Sequence, residues 1–178
     1  NTNQIKIGVI GVGHLGRFHV QQLQTIKSVK LIGIYDSNVE QSTKVANEFS
    51  VRLFNELEQL INKSDAVCVV TPTSSHFNIA MQALNKNCHV FIEKPITETI
   101  DQAKQLLHLS QKNNLIIQVG HIERFNPAYM YLKTQSVSPK FIEIHRLSPF
   151  NPRGTDVPVI LDLMIHDIDI LLSLVNSN

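Results

Sequence analysis

The stretch Ile5-Lys-Ile-Gly-Val-Ile-Gly-Val-Gly-His-Leu-Gly16 decides the fold of this chain. Its apolar half predicts a β-strand that leads directly into three glycines, Gly11, Gly13 and Gly16, before a segment with helical patterning. The first glycine permits a tight turn, the second lets phosphates approach the backbone, and the third lets helix and strand pack closely. The helix N-terminus offers unpaired N–H groups and partial positive charge to an anion. The stretch therefore predicts a strand–turn–helix unit that binds the pyrophosphate of a dinucleotide.

An acidic residue, Asp36, lies about 20 positions beyond Gly16, at the end of the predicted strand Val29–Tyr35. A carboxylate in this position accepts hydrogen bonds from the adenosine ribose hydroxyls and repels a 2′-phosphate, so the sequence favours NAD over NADP. The alternative is that Asp36 caps the following helix together with Ser37 and Asn38.

Length and composition narrow the class of protein. With 178 residues, 43% of them hydrophobic and 17% charged, the chain has room for one to one and a half domains of a soluble globular protein. A net charge of +1 argues against electrostatic binding of nucleic acid. No apolar run reaches the roughly 18 residues that span a bilayer, and the first residues do not resemble a signal peptide.

The two cysteines, Cys68 and Cys88, lie in or next to predicted apolar strands. They suggest buried, inert thiols, with neither a disulfide framework nor a metal site. We therefore expect a reducing, cytoplasmic location and no metal. Because the chain lacks an initiator methionine and its last predicted helix has no successor, we also expect a fragment, or residues missing at one or both ends.

Strands and helices alternate over the first two thirds of the chain, which predicts an α/β fold with a doubly wound parallel sheet. The predicted strands are Ile5–Ile10, Val29–Tyr35, Val51–Phe54, Ala66–Val70, His89–Ile92 and Leu115–Val119. The predicted helices are Leu15–Thr25, Val39–Phe49, Glu56–Asn62, Phe77–Asn85 and Ile100–Lys112. Ser74 and Ser75 are the predicted caps of the fourth helix, and Thr99 of the fifth.

The composition changes near Gly120, which predicts a dinucleotide-binding domain over residues 1–120 and the incomplete beginning of a second, α+β domain over 121–178. The elements predicted for the second part are a helix from Asn126-Pro127 to Thr134, a strand Phe141–Arg146, a loop Leu147–Pro158 and a helix Val159–Val175.

The last predicted helix carries Asp162, His166 and Asp169 at i, i+4 and i+7, which places them on one stripe of an otherwise apolar helix. Buried carboxylate and imidazole groups are costly unless they are paired or functional. A carboxylate beside an imidazole fixes its tautomer and raises its basicity, which suits a general base. The alternatives are a solvent-facing stripe, or a metal site, for which the helix supplies too few ligands.

Two further motifs follow predicted strands, at the sheet edge where open α/β folds bind ligands. In Glu93-Lys94-Pro95, the ammonium of Lys94 could bind a substrate hydroxyl and favour the alkoxide that develops during oxidation; the alternative is a surface lysine. The run from Thr71 to His76 could contact the cofactor or be simple turn and cap chemistry, and His76 itself suggests a structural role.

Taken together, these motifs resemble the glucose–fructose oxidoreductase / inositol dehydrogenase / rhizopine catabolism family of NAD(P)-dependent oxidoreductases. The resemblance runs in order through the whole chain, and the Glu-Lys-Pro triplet with the later Asp-x3-His pattern is its most specific part. The matching residues are Gly11-Val-Gly-His-Leu-Gly16, Asp36, Thr71-Pro-Thr, Glu93-Lys-Pro95, Gly120-His-Ile-Glu-Arg-Phe-Asn-Pro127 and Asp162-x-x-x-His166.

The resemblance implies hydride transfer from a sugar hydroxyl carbon to NAD. Lys94 and His166 are implied to flank the substrate hydroxyl, with His166 as general base and Asp162 as its orienting partner or a substrate contact. The implied cofactor-binding residues are Gly11, Gly13, His14, Leu15, Gly16, Asp36, Thr71, Pro72, Thr73, His76, Glu93 and Lys94. Arg124 is implied to shape the substrate side, with a structural ion pair as the alternative.

The run His145–Asp156 is most similar to family members that act on nucleotide sugars, especially UDP-N-acetylglucosamine. Arg146 and Arg153 in this run are candidates to meet a sugar diphosphate. The family also implies a homo-oligomer if the second domain is complete. Two alternatives stay open: a non-catalytic dinucleotide-binding module, or a reductase of the biliverdin or dihydrodiol type.

Overall fold

A computed structural model describes residues 4–135, 138–147 and 158–175. The chain forms two compact units that divide between Gly120 and His121. The predicted loop Leu147–Pro158 lies almost wholly outside the described residues, as does Arg153.

The first unit is a five-stranded parallel sheet flanked by helices. Its strands follow the order β2-β1-β3-β4-β5, the doubly wound arrangement that the alternating pattern predicts, so the α/β fold class is confirmed. The strands are β1 (Ile5–Ile10), β2 (Val29–Tyr35), β3 (Ala66–Val69), β4 (His89–Ile92) and β5 (Ile117–Val119). The helices are α1 (His14–Thr25), α2 (Val39–Phe49), α3 (Leu57–Ile61), α4 (Thr73–Asn85) and α5 (Ile100–Lys112).

Side-chain alternation along the strands separates two apolar clusters, one on each face of the sheet. On β1, Val9 joins Val20 of α1 and Val45 of α2, whereas Ile10 belongs to the cluster that contains Leu84 of α4. Helices α3 and α5 contribute to this second cluster as well. Burial on both faces explains why the strands are continuous apolar runs.

Two predictions for this unit need correction. The predicted strand Val51–Phe54 makes only an isolated bridge from Leu53 to Ile34, which is too short for a sheet strand. Helix α4 begins at Thr73 rather than Phe77, so Ser74 and Ser75 lie within its first turn and do not cap it. In contrast, Thr99 caps α5 as predicted, in a reciprocal capping box with Gln102.

The regular elements in the described part of the second unit are all helical. It comprises a 3₁₀ turn (Ile122–Phe125), α6 (Pro127–Thr134), a π-helical segment (Ile160–Met164) and α7 (Ile165–Leu174). Asn126 caps α6 by accepting a hydrogen bond from the Ala128 N–H at 3.0 Å, as its position before a proline suggests.

The predicted strand Phe141–Arg146 is wrong, because these residues form no strand. The described residues of the second unit hold no other strand with which this segment could pair, and unpaired strands are not stable in water. The predicted helix Val159–Val175 forms, but its first part is π-helical, so a regular 3.6-residue stripe does not describe it.

Candidate functional site

The glycine loop connects β1 to α1 in a conformation that depends on its glycines. Gly11 has a φ of 85°, and a Cβ on it would lie 2.6 Å from the carbonyl oxygen of Val70. A Cβ on Gly16 would overlap the Gly11 carbonyl oxygen, so helix and strand could not pack as closely. Both positions require glycine for the fold itself, before any ligand is considered.

The middle glycine differs from the other two. A Cβ on Gly13 would meet no atom of the described residues within 4 Å. Gly13 precedes α1, and no described side chain caps this helix end. The open space and the uncapped N–H groups make the loop a suitable cradle for a phosphate.

Asp36, directly after β2, is bound to the glycine loop. Its Oδ2 accepts a hydrogen bond from the Val12 N–H at 2.7 Å, and its Oδ1 accepts one from the Asn38 N–H at 2.9 Å. The cap of α2 is Asn38, whose side chain accepts from the Gln41 N–H at 3.0 Å. Asp36 therefore supports the capping turn of α2 through Oδ1 while its Oδ2 binds the glycine loop, so the contacts of this carboxylate are compatible with both predicted roles.

A cavity of about 440 Å³ opens at the carboxyl ends of β1, β2 and β3. Its walls come mainly from the glycine loop, the end of β2 and the Thr71 loop with the start of α4. The lining residues are Ile10, Gly11, Gly13, Tyr35, Asp36, Ser37, Leu57, Val70, Thr71, Pro72, Ser75, Asn78 and Ile79. The Thr71 hydroxyl is buried and has no hydrogen-bond partner among the described residues. The apolar walls, the carboxylate and this buried hydroxyl fit the adenosine part of a dinucleotide.

His76, in the first turn of α4, is 1% exposed. Its Nδ1 lies 2.9 Å from the Pro95 carbonyl oxygen and its Nε2 lies 2.8 Å from the Thr71 carbonyl oxygen. Both ring nitrogens thus contact the protein backbone, consistent with a structural role for this histidine.

The Glu93-Lys94-Pro95 turn follows β4. The Oε1 of Glu93 lies 2.8 Å from the Nε2 of His19 on α1, and its Oε2 accepts from the Lys94 N–H at 3.3 Å. Gly120 makes room for this carboxylate, because a Cβ there would lie 2.9 Å from Oε2. His19 was not among the predicted site residues, because its contact with Glu93, 74 positions away, has no local sequence signal.

In the second unit, Asp169 is 8% exposed and forms a bidentate ion pair with Arg124. The Arg124 Nε and Nη2 donate to it at 2.7 and 2.5 Å, and His121 Nδ1 lies 3.9 Å away. The Arg124 hydrogen bonds hold the pKa of Asp169 below its ordinary value, and the same bonds raise the pKa of Arg124. The ion-pair alternative for Arg124 is thus present in the structure.

The other predicted residues of this unit lie on its later elements. Arg146 forms hydrogen bonds of 2.7 to 3.1 Å with Asp167, and these raise the pKa of its guanidinium. Asp162 lies in the π-helical segment and His166 in the first turn of α7, both partly buried. π-helical turns of this kind are frequent at functional sites.

The two cysteines are buried in the structure, as the sequence predicts. Cys68 and Cys88 are free and buried, and burial raises the pKa of each thiol to about 12, so both are unreactive at neutral pH. Among the described residues, no group of three or more candidate ligands is arranged to hold a metal ion. None of the described helices combines the length and apolar character needed to cross a membrane.

Comparison with known proteins identifies a family and several relatives of this chain. Residues 5–121 match the model of an oxidoreductase family with an NAD-binding Rossmann fold, in agreement with the predicted cofactor. The UDP-N-acetylglucosamine 3-dehydrogenase of Acidithiobacillus ferrooxidans is 43% identical over 174 residues, which cover 97% of this chain and 55% of that protein. The chain therefore spans about half the length of this relative.

Solved structures extend the comparison. A structure of the same Acidithiobacillus enzyme matches with a TM-score of 0.93, covering 98% of this chain and 58% of the other. The scyllo-inositol dehydrogenase of Lactobacillus casei, solved with NAD(H) and scyllo-inositol, matches with a TM-score of 0.69 at 31% identity, covering 74% and 40%.

Proposed function

This chain belongs to the oxidoreductase family with an NAD-binding Rossmann fold. We propose that it acts as an NAD-dependent dehydrogenase that oxidises an alcohol group of a sugar or nucleotide sugar. The observation that carries the proposal is the Asp36 carboxylate, hydrogen-bonded to the glycine loop at the edge of the 440 Å³ cavity. This geometry supports a dinucleotide with an unsubstituted adenosine ribose.

The residues that would hold NAD come from three loops of the first unit. Gly13 and the start of α1 would receive the pyrophosphate, Asp36 the adenosine ribose, and the buried Thr71 hydroxyl a polar group of the nucleotide. Bound NAD supplies the hydride acceptor for the oxidation of a secondary alcohol.

Residues of the chain would remove the proton of the substrate hydroxyl and stabilise its oxygen. Lys94 would donate a hydrogen bond to the substrate hydroxyl and stabilise negative charge on its oxygen, while His166 would accept the hydroxyl proton. Asp162 would orient the imidazole. The alcohol carbon would lose its hydrogen together with both C–H bond electrons, as a hydride to the nicotinamide; the O–H proton would go to His166, and the C–O bond would become a carbonyl.

We further propose that the substrate is a nucleotide sugar. The 43% identical relative is a UDP-N-acetylglucosamine 3-dehydrogenase, and the identity extends over both units of this chain. A UDP group carries a diphosphate that arginines bind well. In the described part of the chain, Arg124 and Arg146 each bind a carboxylate, so either would need to reach the substrate from an existing ion pair. Homo-oligomeric assembly and a cytoplasmic location stay predictions.

The reaction is tested by mixing the purified protein with NAD and a panel of sugars, and following absorbance of the reduced nicotinamide. We expect turnover with UDP-N-acetylglucosamine and little with free inositol or glucose. Lys94→Met should abolish turnover while NAD binding, measured by calorimetry, persists. NAD binding by the unsubstituted protein without turnover of any sugar would instead favour a non-catalytic binding module.

The cofactor choice has its own test. Asp36→Asn keeps an oxygen for the Val12 N–H but removes the charge, so we expect NAD affinity to fall about 10-fold and the preference over NADP to shrink by a similar factor. Asp101→Asn, which changes an exposed carboxylate on α5, is the matched control. Equal loss of NAD and NADP binding in the Asp36 variant would contradict the ribose assignment.

A further inference from the structure

The turn that carries Lys94 is held from two sides by histidines of different helices. On one side, His19 of α1 contacts the Glu93 carboxylate at 2.8 Å, and both side chains are mostly buried. The His19 ring also packs against Phe91 of β4, with 5.3 Å between the ring centroids. The imidazole is thus fixed by packing as well as by its polar contact.

On the other side, His76 of α4 lies 2.9 Å from the Pro95 carbonyl oxygen through Nδ1. Through Nε2, it lies 2.8 Å from the Thr71 carbonyl oxygen, on the loop that lines the proposed adenosine cavity. A nearly fully buried ring with a backbone carbonyl oxygen beside each nitrogen is costly to misplace. Pro95, directly after Lys94, is therefore tied to the nucleotide loop.

The two contacts leave Lys94 between anchored neighbours. The Lys94 N–H itself donates to Glu93 Oε2 at 3.3 Å, so the same carboxylate serves His19 through one oxygen and the lysine backbone through the other. A lysine has a flexible four-carbon stem, so its ammonium is placed well only if its backbone is placed well. Both histidines belong to helices that start at the proposed cofactor loops.

We propose that His19 and His76 are positioning residues, which fix the backbone of Lys94 relative to the glycine loop and the Thr71 loop. The proposal rests on the proposed dehydrogenase function and goes beyond it, because neither imidazole is assigned contact with substrate. His19 acts through Glu93, and His76 acts through Pro95. Loss of either contact should lower kcat more than it lowers NAD affinity, since the cavity and the glycine loop remain.

For each histidine, one amide substitution should preserve the contact that the proposal requires and the other should remove it. A glutamine amide reaches where Nε2 of histidine lies, and an asparagine amide reaches where Nδ1 lies. His19→Gln keeps the donor to Glu93, whereas His19→Asn loses it. At His76 the order reverses: the amide N–H of His76→Asn can donate to the Pro95 carbonyl oxygen, whereas that of His76→Gln can donate only to the Thr71 carbonyl oxygen. His108→Asn, on the exposed side of α5, is the control.

The experiment measures kcat and KM with UDP-N-acetylglucosamine, NAD affinity by calorimetry and the melting temperature for all five variants. We expect His19→Asn and His76→Gln to lose about 10- to 100-fold in kcat, the range for an ångström-scale misplacement, with NAD affinity within about 3-fold. His19→Gln and His76→Asn should retain most of kcat.

Other outcomes overturn the proposal. If both variants at a position behave alike, or if kcat falls only in proportion to NAD binding and melting temperature, the histidines are merely structural. If the unsubstituted protein turns over no sugar, the proposed function fails and this inference falls with it. Turnover by that protein together with undiminished kcat in every variant rejects the positioning role alone.

Discussion

The two units of the chain are stabilised in different ways. The first unit buries its apolar side chains against its own sheet, and Leu60, Leu84 and Ile92 are fully buried there. The described part of the second unit leaves many apolar side chains exposed, including Leu147 at 91%. Its described long-range side-chain contacts include the Arg124–Asp169 and Arg146–Asp167 ion pairs and a hydrogen bond between the Tyr129 and Ser173 hydroxyls. The contrast teaches that the first unit forms an apolar core from its own strands and helices, whereas the described helices of the second unit bury less apolar surface and are joined by several individual polar contacts.

The largest expected effect lies in the glycine loop. Gly16→Ala forces a Cβ onto the Gly11 carbonyl oxygen, so we expect a loss of about 3 kcal/mol in the free energy of unfolding of the first unit. Urea unfolding followed by circular dichroism measures it. Gly13→Ala, which meets no described atom, is the matched control and should preserve stability while weakening NAD binding. Equal destabilisation by both would contradict the loop geometry.

The second effect tests the ion pair of the second unit. Asp169→Asn leaves Arg124 without its carboxylate partner, and we expect a loss of about 1–2 kcal/mol, discounted because the Arg124 side chain is 53% exposed. Two of the three tyrosines, Tyr129 and Tyr131, lie in this unit, so tyrosine fluorescence during urea unfolding reports mainly on it. Leu147→Ala, at a highly exposed site, should change stability little.

The same pair predicts a pH dependence. The pKa of Asp169 is lower in the folded chain than its ordinary value of 3.8, so the ion pair contributes stability above the unfolded-state pKa. This contribution is lost as pH falls through the lower folded-state pKa. Acid unfolding of the second unit should therefore be less steep in Asp169→Asn. An unchanged acid unfolding profile in this variant would show that Asp169 does not contribute to the stability of the second unit.

The smallest effect separates two roles for Arg146. Arg146→Gln and Asp167→Asn each remove the partly exposed ion pair, and each should cost about 0.5 kcal/mol in unfolding experiments. Only the first removes a cation that could meet a sugar diphosphate. If the predicted substrate contact exists, KM for UDP-N-acetylglucosamine rises in Arg146→Gln and not in Asp167→Asn. A matching rise in both variants would assign Arg146 to structure alone.

Sequence patterns predicted most elements of the first unit because each element has a local signal in its own residues. Apolar runs such as Ala66–Val69 are strands since both faces are covered, and Thr99 with Gln102 marked the start of α5 through a local capping box. The family resemblance carried by the glycine loop and by Glu93-Lys94-Pro95 is likewise confirmed by the match over residues 5–121.

The same reasoning failed where a segment depends on a partner. A strand was predicted over Phe141–Arg146, but no described strand of its unit pairs with this segment. The i, i+4, i+7 stripe assumed a regular helix, whereas the segment containing Asp162 is π-helical. Asp169 was interpreted with the candidate active-site stripe, and the structure binds it to Arg124.

The sequence by itself determined the α/β class, the glycine loop, the position of Asp36 and the family, because helical period, strand period and glycine's backbone freedom act over a few residues. Only the tertiary structure decided which distant groups meet. His19 reaches Glu93 across 74 positions, and Arg124 reaches Asp169 across 45. Such pairs depend on how whole elements pack, and a hydrogen bond a few ångströms long cannot be inferred from either residue's local pattern.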